Sequence, residues 1–108
     1  MIKNVREDDM KHDNHRIQTL ITAFEEAGYP VTDVIRLEED VRTEPSILDF
    51  DLRLKEGDEL NITIDNDDDA VWHDFSHSTP IGNIGTGVGV LHRIVREAIR
   101  KVSMSAKT

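Results

Sequence analysis

Between Ile47 and Ile64 the chain alternates almost without a break. Leu48, Phe50, Leu52 and Leu54 take turns with Asp49, Asp51, Arg53 and Lys55; beyond Glu56-Gly57-Asp58-Glu59, Leu60, Ile62 and Ile64 take turns with Asn61, Thr63 and Asp65. A period of two sends successive side chains to opposite sides of an extended strand, so each segment has one apolar and one polar side. Two such segments joined by a short glycine-containing turn predict an antiparallel hairpin with one dry and one wet face. An isolated hairpin is marginal in water, so the rest of the chain has to cover the dry side.

Two helices are available to do so. Ile17, Leu20, Ile21 and Phe24 fall at i, i+3, i+4 and i+7, one apolar stripe, with Gln18, Thr22, Glu25 and Glu26 on the other side. Asp13 or Asn14 supplies a cap, and Gly28 and Pro30 stop the helix. From Val88 onward, Leu91, Ile94, Val95, Ala98, Ile99 and Val102 make a second apolar arc opposite Arg93, Arg96, Glu97 and Arg100. An earlier strand is expected near Val34–Val41, a fourth within Ala70–Phe75, and residues 76–87 read as a long loop. The order α-β-β-β-(β)-α predicts an α+β, two-layer sandwich: an antiparallel sheet of three or four strands with the N- and C-terminal helices on one face. At 108 residues this is one domain, with 1–12 and 103–108 expected to be mobile.

The apolar runs are too short to span a bilayer, the first residues lack the apolar stretch of a secretory signal, and there is no cysteine. A cytoplasmic location is therefore expected, without a disulfide framework or thiolate chemistry. Charge is distributed unevenly: residues 1–80 carry 21 acidic and 8 basic side chains, residues 81–108 carry 1 and 5. The net charge of −9 repels nucleic acid and anionic membranes and attracts basic partners.

The acidic surplus concentrates in residues 38–69, with 13 acidic and 3 basic side chains. Solubility alone accounts for acids on strands and turns. Carboxylates aligned on one sheet face also repel one another, however, and retaining that repulsion suggests a use. Glu38, Asp40, Asp49, Asp51 and Asp65 on the wet face, with Asp67, Asp68 and Asp69 in the adjoining turn, are the expected partner-binding set. An unscreened acidic face of this kind suits a basic protein surface, such as the phosphate-holding groove of a nucleic-acid enzyme, which it would occlude as immunity proteins and nucleic-acid mimics do. That is a non-enzymatic, inhibitor-like role.

The alternative rests on "GNIGTGVG", Gly82–Gly89, which runs into the second helix. It matches neither a P-loop nor a dinucleotide fingerprint. Free N–H groups at a helix start still favour an anion, with Thr86 as cap. Gly85, Thr86, Gly87, Arg93, Arg96 and Arg100 are the expected residues of a site for a nucleotide or other phosphate-bearing anion, which a homodimer could share. The plainer reading is a connector with glycines in left-handed positions.

Three further constellations lead to no assigned site. Asp65-Asn66-Asp67-Asp68-Asp69-Ala70 opens like a calcium loop but has Ala70 and Ser76 where glycine and a bidentate glutamate belong. His12, His15, His73, His77 and His92 have no spacing that forces them onto one metal. Asp74, Ser76 and His77 are the residue types of a hydrolase triad but lie within four positions, with no nucleophile elbow. No catalytic residue, metal or cofactor is assigned.

Overall fold

The computed structural model describes residues 11–106. Helix α1 spans His15–Glu26. Asn14 is its cap, the side-chain oxygen accepting from the N–H groups of Arg16 and Ile17 at 3.0 and 3.2 Å. At the other end Tyr29 N–H donates to Phe24 C=O and Gly28 N–H to Glu25 C=O, a Schellman motif that needs the left-handed φ of +99° at Gly28.

Five strands follow: β1 (Val31–Asp40), β2 (Ile47–Leu54), β3 (Glu59–Ile64), β4 (Asp69–His73) and β5 (Ser78–Asn83). They form an antiparallel meander in the order β1-β2-β3-β4-β5. A 3₁₀ turn (Ile84–Thr86) leads to α2 (Val88–Ala106), which packs along β5 and against α1. The α+β sandwich expected from the sequence is present, and the core lies between the helices and the dry face. Its largest fully buried side chains include Phe24 and Phe50, and no charged residue is buried among the described residues.

The expected three or four strands become five because Ser78-Thr79-Pro80-Ile81-Gly82-Asn83 is a strand, where the sequence suggests a loop. Proline and glycine are tolerated there because β5 is an edge strand, with no further ladder to supply. A bulge opposite Ala70 and Val71 adds Ile81, which is fully buried. Gly82 has φ +142°, and a Cβ on it would stand 3.1–3.2 Å from Ile94 and Leu91 of α2, so close helix packing requires glycine. β4 correspondingly ends at His73, and Phe75 falls in the following turn.

Of the ends expected to be mobile, residues 1–10 and 107–108 lie outside the described residues. His12 N–H donates to Gln18 Oε1 at 2.6 Å, and residues 103–106 continue α2.

Candidate functional site

The wet face of the sheet carries the acidic residues, but it is not the unscreened row that the sequence suggests. The correction comes from Arg36, just outside the acidic segment. Bulges in β1 between Val31 and Asp33 and between Val34 and Arg36 break its alternation and set Arg36 opposite Asp51. Its guanidinium reaches Asp49 Oδ1 at 2.8 Å, Asp51 Oδ2 at 3.3 Å and Glu38 Oε2 at 3.2 Å. Asn61 on β3 adds a second clamp, its Nδ2 donating to Asp49 Oδ1 at 2.9 Å and Asp51 Oδ1 at 2.8 Å. One positive charge is thus shared by three carboxylates, which fixes their geometry and leaves the cluster negative.

The titration behaviour follows from these contacts. At Asp51 burial, the largest single influence, pushes the carboxyl up, while the donors from Arg36 and Asn61 together outweigh it and leave it below its ordinary value. Arg36 is raised by its hydrogen bonds to Asp51 and then Asp49. Asp40 is gripped by Arg42, Nε to Oδ1 at 2.9 Å and Nη2 to Oδ2 at 2.7 Å, and these bonds hold its pKa at about 2. Glu38, Asp40 and Asp49 line one open hollow of about 500 Å³, together with Arg42, Ile47 and Thr63.

Asp65, Asp67, Asp68 and Asp69 sit apart from that hollow, in and beside the β3–β4 turn. Asp65 Oδ1 accepts from the N–H groups of Asp67 and Asp69 at 2.8 and 3.0 Å, which closes the turn, and Asp68 adopts φ +65°. Arg16 of α1 locks it from below, Nε to Asp68 Oδ1 at 2.9 Å, Nη2 to Asp65 C=O at 2.7 Å and Nη1 to Ser46 C=O at 2.7 Å. Ligand atoms of Asp65, Asp67 and Asp69 come within 4.8 Å of one another. The bonds within the turn already account for that convergence.

Two donors of the glycine loop are spent within it. Gly85 N–H donates to Asn83 Oδ1 at 2.8 Å, and the Thr86 hydroxyl donates to Asn83 C=O at 2.8 Å. Thr86 therefore closes the 3₁₀ turn and is not the cap of α2, which starts beyond Gly87 at φ +107°. Asn83 also ties the loop to the acidic turn, its Nδ2 donating to Asp67 C=O at 2.9 Å and Asp69 Oδ1 at 2.8 Å. Arg93, Arg96 and Arg100 are exposed along α2, and Arg100 pairs with Glu97 at 3.1 Å.

The histidines are dispersed. His73 bridges Thr63 and Ser78, each at 3.0 Å, across three strands. In the β4–β5 turn both Ser76 Oγ (3.1 Å) and Asp74 Oδ1 (3.7 Å) approach the same His77 nitrogen, Nδ1. A proton relay needs the hydroxyl and the carboxylate on opposite ring nitrogens, so this arrangement is a capped turn.

Arg16, Arg36, Asn61 and Asn83 organise the surface, and sequence reasoning gave none of them a role. The isolated Arg36 and Arg16 were the available signal, each a cation near an acidic majority, but nothing local says which acid either meets. Compared with protein-family models, curated proteins and solved structures, the chain matches none. No helix among the described residues is long and apolar enough to cross a membrane.

Proposed function

We propose that this chain is a non-enzymatic binding protein, acting in the cytoplasm, that docks its acidic sheet face on a basic surface of a partner protein and occludes it. The observation that supports this reading is the hollow lined by Glu38, Asp40 and Asp49, whose carboxylates Arg36, Arg42 and Asn61 hold in place. Carboxylates already fixed lose little conformational freedom on binding, so charge attraction to arginine and lysine goes further toward affinity. The face keeps outward lone pairs, since the side chains of Glu38 and Asp49 remain 70% and 41% exposed.

The test is zero-length carbodiimide cross-linking of the chain in host lysate, which joins carboxylates to partner lysines, with the joined residues read by mass spectrometry. One partner is expected to link at Glu38, and to be lost both in 0.5 M salt and in a Glu38→Lys variant. Charges across such an interface are screened over about 3 Å in 1 M salt and about 8 Å at physiological ionic strength. Links that avoid the sheet face, or capture indifferent to salt and to the charge reversal, would refute the proposal.

A further inference from the structure

At the opposite end of the sheet, α2 overhangs the β2–β3 turn and leaves a cleft of about 460 Å³, within the range of about 300–1,000 Å³ in which ligand pockets fall. Its lining is largely apolar and includes Leu60, Trp72, Ile99 and Val102. All the charged residues that line it are carboxylates: Glu56, Asp58 and Glu59. Glu59 is engaged by Arg53 at 2.9 Å, whereas Glu56 and Asp58 are exposed and carry no ion pair among the described residues.

This combination selects its occupant. The apolar lining gains from taking an aliphatic or aromatic side chain out of water. The two unpaired carboxylates at the mouth reject an anion and favour a cation next to that side chain. Trp72 and Tyr29 both line the cleft, and an aromatic ring next to a guanidinium or ammonium adds to the attraction.

We infer that this cleft seats a peptide segment in which a leucine or phenylalanine is flanked by lysine or arginine. Assigning the segment to the docking partner rests on the reading above, that the partner is basic; the cleft's own lining supplies the rest. The partner is then gripped at two places, by charge at the hollow and by an apolar anchor at the cleft.

Trp72 is the chain's single tryptophan, so its emission reports the cleft directly. The full chain is titrated with the blocked hexapeptide Arg-Lys-Leu-Phe-Lys-Arg, with Arg-Lys-Gly-Gly-Lys-Arg, and with Glu-Glu-Leu-Phe-Glu-Glu. The first is expected to shift the emission saturably, and the other two at least tenfold more weakly or not at all. A Glu56→Lys/Asp58→Lys variant, altered only at exposed turn positions and checked for an unchanged melting temperature, is expected to weaken the first peptide at least tenfold. Ser103→Phe, which places a ring at the mouth from α2, is expected to do the same.

The inference is overturned if no peptide gives a saturable shift, if either control peptide matches the first, or if the charge reversal leaves binding unchanged. Because the titration needs no native partner, such a result leaves the sheet-face proposal standing. Absence of cross-links at Glu38 in the unaltered chain would remove that proposal whatever Trp72 reports.

Discussion

Replacing Arg16 by methionine keeps an unbranched apolar stem and removes its three contacts to Asp68, Asp65 and Ser46. Those contacts join the start of α1 to the β3–β4 turn and to the connection between β1 and β2, segments 30 to 52 residues away in sequence. The Arg16 side chain is only 16% exposed, so water replaces the lost partners poorly. At about 1 kcal/mol net for each hydrogen bond, the loss is about 3 kcal/mol. With a urea dependence of about 2 kcal/mol per molar, the unfolding midpoint should fall by about 1.5 M. Trp72, 8% exposed in the folded chain, gives the signal. Arg16→Lys should rescue little, because a single ammonium cannot reproduce a planar fork reaching three separate acceptors, and about 2 kcal/mol of the loss should remain. A loss below about 1 kcal/mol for methionine, or wild-type stability with lysine, would show that the guanidinium contacts do not hold the turn.

Three further outcomes follow from named contacts. Asp40, at about 2 through its bonds from Arg42, and Asp51, where Arg36 and Asn61 outweigh burial, both ionise below the ordinary 3.8. A depressed folded pKa stabilises fully above the unfolded value and loses that contribution as pH falls through the folded one. Urea midpoints should therefore drop from pH 4 toward pH 2 less steeply in Asp40→Asn/Asp51→Asn than in the wild type, and equal slopes would contradict the pairing. Gly82→Ala should destabilise by about 1–3 kcal/mol in thermal melts, because its Cβ meets Leu91 and Ile94 at positive φ; Gly57→Ala, at φ +100° in open space, should lose only about 1–2 kcal/mol. Asn83→Ala removes one acceptor and two donor contacts, and hydrogen exchange at the Gly85 amide should accelerate at least tenfold, whereas unchanged protection would place the order of this loop elsewhere.

Legibility in the sequence tracked the range of the interaction. The β2–β3 hairpin, the stripe of α1 with its Asn14 cap and Gly28 stop, and the arc of α2 all rest on neighbours a few residues apart, and all are present. The strand at Ser78–Asn83 was hidden because its proline and glycine oppose strand formation locally, and only pairing with β4 and packing under α2 overrides them. The acidic surface was legible as composition but not as geometry. Its carboxylates are on the expected strands and turn, whereas Arg16, Arg36, Asn61 and Asn83 reach most of them from other elements of the fold. The cleft beside Trp72 could not be read at all, since the turn after α1, the β2–β3 hairpin end, β4 and α2 each contribute part of its wall.

By itself, then, the sequence determined the helices, the central hairpin, the side of β2 and β3 that is dry and the sign of the exposed charge, since periodicity, capping and composition act locally. Only the tertiary structure decided that Arg36 would stand among three carboxylates, that Arg16 would lock the acidic turn and that a cleft would open beside Trp72. Two bulges in β1 shift its side chains from one face to the other, and no pattern within β1 specifies where an irregular edge strand must skip a residue to satisfy the partners it meets across the sheet.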